Sequence, residues 1–124
     1  MIPQWDLLLG SIDPSIIDYI SKERGLTIAE INEILNKKSG LLGMCGKNDF
    51  RDVTALADSG NENAINAIKI MENSITKYIA NYYLELDGNV NALVFTAGCG
   101  ENANNLRKDI MEKISCLGVK IDEN

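Results

Sequence analysis

The 124-residue sequence contains no histidine, and it has only three cysteines, two prolines and one tryptophan. Without histidine there is no Ser-His or Cys-His nucleophile, and the most common general base of enzymes is missing. The cysteines at positions 45, 99 and 116 are too widely spaced for a zinc site or a Cys-X-X-Cys redox motif, so we expect reduced thiols. Any chemistry of this chain has to use carboxylates, arginine, lysine or backbone amides.

Long hydrophobic runs and an excess of positive charge are also missing. No stretch approaches the ~18 consecutive apolar residues of a membrane span, and the three leucines at positions 7–9 are too few for a secretion signal. Twelve basic and eighteen acidic residues give a net charge of −6, whereas binding to a nucleic-acid backbone depends on lysine and arginine. We therefore expect a cytoplasmic protein that binds neither membranes nor nucleic acids.

The composition indicates one soluble domain over residues 1–124, since 45% of the residues are apolar and 24% are charged. Helical signals dominate its first half. Asp13-Pro14 predicts a helix start and Gly25 an end, and Thr27 with Glu30 predicts a capping box for a second helix that runs to Lys38. The two helices are expected to form a hairpin.

The middle of the chain predicts a change of structure and then a long helix. Three glycines between positions 39 and 48 predict a short extended, hinged segment. A helix is expected after Asp49, ending at Ser59-Gly60. From Asn61 to Leu86 apolar residues recur every three or four positions, which predicts one amphipathic helix of about 35 Å.

The last third of the chain predicts a small sheet. Residues 92–95 (Ala-Leu-Val-Phe) form a short apolar run that predicts a strand buried on both faces. A turn at 96–102 leads to a helix from about Ala103 to Cys116, and residues 119–121 predict a final strand. The first ten residues predict a strand or a loose lead-in. The expected fold class is α/β, rich in helices, with a small and incomplete sheet.

The turn at residues 96–102 is the most informative feature for function. A buried strand runs into a Gly-X-Gly turn that opens a helix, so a ligand could approach the backbone and meet unpaired amides. Spacing alone favours a tight strand-to-helix connection over a nucleotide site.

The residues themselves carry a resemblance that spacing does not. Residues 93–102 (LVFTAGCGEN) resemble the adenosine motif of acetate kinases, which transfer a phosphoryl group between ATP and acetate. Residues 13–17, 35–43, 49–53 and 117–119 resemble other segments of that family in the same order. The resemblance covers about residues 11–122.

The resemblance implies part of an actin-like, ribonuclease H-like kinase fold with two lobes, of which this chain covers an inner part of the C-terminal lobe. It implies ATP or ADP as substrate, Mg²⁺ in the intact enzyme and a homodimer joined through this lobe. Two stretches would hold the nucleotide: Asp49, Phe50, Arg51, Gly98, Cys99, Gly100, Glu101 and Asn102.

Each candidate residue also has a purely structural explanation. Asp49 could act only as a helix N-cap, and Glu101 and Asn102 also suit a helix start. Capping does not explain Arg51, because a cation is unfavourable at a helix N-terminus. Arg51 is therefore the most specific candidate.

The chain also departs from the family. The arginine of the family's Thr-Arg-Ser-Gly stretch is absent where this chain has Leu8-Leu9-Gly10-Ser11-Ile12, and the other catalytic and magnesium-binding residues would lie outside it. We assign no catalytic or metal-binding residue here. The expected function is a nucleotide-binding fragment of an acetate kinase, inactive alone and missing the N-terminal lobe.

An alternative function is a non-catalytic helical module for dimerisation or binding, derived from the same fold. It depends on the long helix, whose Tyr78, Tyr82 and Tyr83 leave aromatic rings on more than one face. Tyrosine-rich apolar surface is typical of interfaces. The stripe of this helix is also explained as ordinary core.

Overall fold

The computed structural model describes residues 12–120. The strand or lead-in predicted for the first ten residues lies outside the described part, as does Ile121 of the predicted final strand. The chain divides into two compact units whose boundary falls between Ala67 and Ile68.

Residues 12–120 contain seven α-helices, one π-helical turn, one 3₁₀ turn and no β-strand. None of these helices is long and apolar enough to cross a bilayer. The α-helices are α1 Ser15–Arg24, α2 Ile28–Glu33, α3 Gly40–Cys45, α4 Phe50–Asp58, α5 Glu62–Glu85, α6 Ala97–Asn102 and α7 Asn104–Lys113.

The first two helices follow their predicted signals. The Asp13 carboxylate accepts the backbone N–H of Ser15 at 2.9 Å, and α1 ends at Gly25 with a φ of 63°. At the start of α2, Thr27 Oγ1 accepts the Glu30 N–H at 3.3 Å and Glu30 Oε2 accepts the Thr27 N–H at 2.8 Å. The predicted capping box is confirmed.

The predicted extended segment at residues 39–48 is wrong, because Gly40–Cys45 forms α3. Two glycines border this helix in left-handed conformations, with φ of 64° at Gly40 and 76° at Gly46. The third lies inside it, and a Cβ on Gly43 would stand 2.9 Å from the Lys38 carbonyl oxygen. The glycines therefore permit a close approach of α3 to the preceding π-helical turn.

Helices α4 and α5 begin and end close to their predicted positions. The 24-residue α5 confirms the long amphipathic helix. Six apolar side chains form the core of the first unit: Ile31, Leu41, Phe50, Val53, Ala64 and Ala67.

The second unit has its own smaller core. Met71 on α5 is buried, as are Leu106 and Ile110 on α7 and Ile114 just after it. Glu72 is 5% exposed, and its Oε2 accepts a hydrogen bond from Lys113 Nζ at 2.7 Å. This ion pair links α5 to α7.

The predicted strand at residues 92–95 is not formed in the part of the chain that the structure describes. The segment is non-helical, but it pairs with no other strand within residues 12–120. Val94 is 74% exposed, so the expected burial on both faces is also wrong. A strand exists only through hydrogen bonds to a neighbouring strand, and residues 12–120 supply none. The described fold is therefore helical, without the expected sheet.

Candidate functional site

Asp49 and Arg51 form a closed pair at the start of α4. Asp49 Oδ1 accepts the backbone N–H of Arg51 at 2.9 Å and its Nε–H at 3.0 Å, while Arg51 Nη2 donates to Oδ2 at 2.6 Å. The carboxylate therefore caps the helix and also binds the guanidinium through both of its oxygens.

This geometry gives Arg51 the structural explanation that capping alone did not. The carboxylate next to the guanidinium compensates the unfavourable cation at a helix N-terminus. The side-chain hydrogen bond from Arg51, with the backbone hydrogen bond from the same residue, lowers the pKa of Asp49 to about 2. The Arg51 side chain is 89% exposed, so the outer face of the guanidinium remains open to a ligand.

Phe50 lies between these two residues but faces inward. Its side chain is 8% exposed and belongs to the core of the first unit. The Phe50 ring therefore contributes to packing.

The second candidate stretch, Gly98 to Asn102, lies within α6 rather than in a turn. The helix starts at Ala97, which has a left-handed φ of 63° that costs an L-residue about 1–2 kcal/mol. Glu101 Oε1 accepts the Ala97 N–H at 3.2 Å, and Asn102 Nδ2 donates to the Gly98 carbonyl at 2.9 Å. The Glu101 and Asn102 side chains thus stabilise the helix that contains them. Cys99, in the same helix, is half-buried.

The two glycines of α6 have different surroundings. A Cβ on Gly100 would stand 3.3 Å from the Phe95 carbonyl carbon, so this glycine allows the preceding segment to pack closely. A Cβ on Gly98 would meet nothing within 4 Å. Packing within the described residues explains Gly100 but not Gly98.

Arg107 lies on α7 and is not among the candidate residues of the sequence analysis. Its Nη1 donates to the Gly100 carbonyl at 2.7 Å and to the Glu101 carbonyl, and its Nη2 donates to Asn104 Oδ1. A basic residue shortly after a short helix is a known signal for carbonyl capping.

The candidate residues therefore form two local groups, one in each unit. Asp49, Phe50 and Arg51 belong to the first unit, and residues 98–102 belong to the second. Within residues 12–120, no three acidic or cysteine side chains are arranged to bind a metal ion.

Curated relatives of this chain carry the name acetate kinase. The chain is 49% identical over 113 residues to the acetate kinase of Desulfovibrio desulfuricans (strain ATCC 27774 / DSM 6949 / MB), covering 91% of this chain and 28% of that protein. It is 45% identical to the acetate kinase of Natranaerobius thermophilus over 92% of this chain and 29% of that protein. The chain thus spans less than a third of the length of these relatives.

The solved structures that are similar to this chain include a propionate kinase and an acetate kinase. A propionate kinase from Francisella tularensis subsp. tularensis SCHU S4 superposes with a TM-score of 0.79 at 46% identity, over 90% of this chain and 29% of that one. An acetate kinase from Porphyromonas gingivalis superposes with a TM-score of 0.81 at 34% identity, over 90% of this chain and 28% of that one. Residues 8–124 match the sequence profile described as the acetokinase family. The two superposed structures have the actin-like fold. The chain belongs to the acetokinase family.

Proposed function

We propose that this chain is the nucleotide-binding part of the C-terminal lobe of an acetate kinase, which converts ATP and acetate to ADP and acetyl phosphate. The match to acetate kinases over 91% of this chain, but 28% of the relative, carries the proposal. The N-terminal lobe and the Mg²⁺ site belong to the remainder of such an enzyme.

The adenosine would lie against the exposed face of α6. Gly98 supports this, because no packing within the described residues requires a glycine there and a ligand could approach its backbone closely. Ala97 gives a second support, since strained backbone persists where a functional geometry requires it. In the first unit, we propose the open face of the Arg51 guanidinium as a separate nucleotide contact, with Asp49 fixing its orientation.

Titration with ADP by calorimetry tests the proposal on the wild-type chain and on Gly98→Ala. Alanine favours a helix over glycine by about 1 kcal/mol, so the variant keeps or raises the melting temperature. It should nevertheless weaken ADP binding by about tenfold, because a methyl group occupies the approach path.

Lys77→Ala is the control, since this exposed residue lies on α5. It should leave the ADP affinity unchanged. A wild-type chain that binds no ADP at millimolar concentration would remove the proposed function and favour the alternative, a module for dimerisation or binding. Equal affinity of wild type and Gly98→Ala would remove the assigned site.

The same proposal predicts that this chain alone forms no acetyl phosphate from ATP, Mg²⁺ and acetate. An arginine at a transferring phosphoryl group is worth about 10³-fold or more in rate. Of the three arginines of this sequence, Arg51 and Arg107 are held in local contacts. A hydroxamate trap for acetyl phosphate should read at background. Activity that survives purification and disappears in Arg51→Ala would contradict the prediction.

We propose that the exposed end of α5 binds a second copy of this chain and so forms a homodimer. Tyr78 is 37% exposed and Tyr82 is 51% exposed, and their rings stack with centroids 6.5 Å apart. Tyr83 is less available, because its ring lies against Gly88, where a Cβ would stand 3.1 Å from the hydroxyl oxygen. Sedimentation should show a dimer at micromolar concentration, and Tyr78→Ser with Tyr82→Ser should dissociate it. A strict monomer would contradict this interface.

A further inference from the structure

We propose that Arg107 is a positioning residue that holds the candidate nucleotide-binding helix α6 in shape from its C-terminal end. This inference rests on the proposed function, because it concerns the segment that would contact the nucleotide. It assigns no contact with the ligand to Arg107 itself.

Helix α6 needs support from outside. It has only six residues, and helices of this length are unstable alone because nucleation costs more than a few backbone hydrogen bonds return. It also starts with the strained Ala97. At its other end, Ala103 has a φ of −93° and a ψ of 76°, so the left-handed glycine that usually satisfies the last carbonyl groups is absent.

The Arg107 guanidinium supplies the missing donors. Its Nη1 donates to the carbonyl oxygens of Gly100 and Glu101, which are among the last carbonyls of α6 and lack a partner further along the same helix. A cation at this position also complements the negative end of the helix dipole.

The helix that carries Arg107 is anchored in the core of the second unit. Arg107 lies on α7 directly after Leu106, which is 5% exposed, and three residues before Ile110, which is fully buried. Its Nη2 donates to Asn104 Oδ1 on the same helix. Because the planar guanidinium has fixed directions for its donors, α7 transmits the rigidity of the second core to α6.

Hydrogen exchange and ADP titration on the 124-residue chain test this inference. Arg107→Met removes the donors and keeps most of the side-chain length. We expect the amides of residues 101–103, including the Ala103 N–H that donates to the Cys99 carbonyl at 3.1 Å, to exchange about tenfold faster. The amides of α5 should be unchanged, and ADP affinity should fall by about tenfold. Arg107→Lys should give intermediate values for both.

Lys108→Met is the matched control. It removes one positive charge from the neighbouring position of α7, where the Lys108 side chain is 69% exposed. It should leave both the exchange rates and the ADP affinity at wild-type values.

The outcomes separate the inference from the proposed function. If the wild-type chain binds no ADP, the proposed function is wrong. The hydrogen-exchange rates of the α6 amides then test by themselves whether Arg107 supports this helix. Unchanged exchange in Arg107→Met overturns the inference, even if affinity falls, because Arg107 would then act on the ligand directly. Faster exchange with unchanged affinity also overturns it, because α6 would then not need this support to bind.

Discussion

The buried ion pair between Glu72 and Lys113 should stabilise the second unit more than any exposed ion pair. Glu72 is 5% exposed and is the single buried charged side chain within residues 12–120. Lys113 Nζ donates to Glu72 Oε2 at 2.7 Å and to Asn73 Oδ1 at 2.9 Å. Substituting Lys113→Met would leave the carboxylate buried without its cation.

Removing one partner of a fully buried pair costs about 3–5 kcal/mol. The Lys113 side chain is 34% exposed, so water screens part of this interaction, and we expect Lys113→Met to lower the free energy of unfolding by about 2 kcal/mol. At this chain size that is roughly a 6–12 °C drop in melting temperature. The double variant Glu72→Met with Lys113→Met should recover most of the loss, because two apolar side chains replace the pair.

Urea unfolding followed by circular dichroism measures the four free energies of this double-mutant cycle. Lys108→Met is the control, since Lys108 faces Glu112 at 4.0 Å with both side chains about two-thirds exposed. That exposed pair should contribute less than about 0.5 kcal/mol. A loss in Lys113→Met no larger than in Lys108→Met, or strictly additive effects of the two substitutions, would refute the reasoning.

Three smaller perturbations test individual contacts. Ala97→Gly should raise the free energy of unfolding by about 1 kcal/mol, because glycine adopts the left-handed φ without strain; an unchanged melting temperature would contradict this. Arg51→Met should raise the pKa of Asp49 from about 2 toward its ordinary value, as measured by NMR titration. A pKa that is lower in the folded than in the unfolded protein stabilises the folded state at pH values above the ordinary pKa of ~4. This stabilisation is lost as the pH falls toward the lowered pKa, so the variant should lose less stability on acidification than wild type. Thr27→Ala should lower the free energy of unfolding by about 1 kcal/mol through loss of the capping box with Glu30, and an unchanged urea midpoint would count against it.

Local signals in the sequence predicted five of the seven α-helices in residues 12–120, but not α3 and α6. The capping box of Thr27 and Glu30 lies within four residues and involves only side chain and adjacent backbone, so it is readable without tertiary context. The long helix α5 was equally readable, because its apolar stripe extends over 24 residues. Both features are confirmed.

Features that depend on distant residues were not predictable in the same way. The apolar run at 92–95 has the composition of a strand, but a strand requires a neighbour, and residues 12–120 contain none. The glycines at 40, 43 and 46 looked like hinges, whereas Gly43 serves the close approach of α3 to Lys38. The same residue type allows both roles, and only the packing decides between them.

The candidate site was predictable as a set of positions but not as a set of contacts. Arg51 was the most specific candidate because its charge looked unfavourable at a helix start, yet Asp49 compensates it two residues earlier. Arg107 was overlooked, although it binds the carbonyls of the other candidate segment. Polar residues near a glycine-rich segment are therefore as informative about how that segment is held as about what it binds.

This distinction limits what the described residues can contribute to phosphoryl transfer. Arg51 is bound to Asp49 at 2.6 Å, and Arg107 is bound to the Gly100 carbonyl at 2.7 Å. Moving either guanidinium onto a phosphate would break the hydrogen bonds that it makes in this structure. A transferring phosphoryl group needs cationic donors that are preorganised toward the developing charge, whereas donors of these two guanidinium groups are directed at Asp49 and at the α6 carbonyls. The contacts of Arg51 and Arg107 are therefore a structural reason to expect no phosphoryl transfer by these two residues.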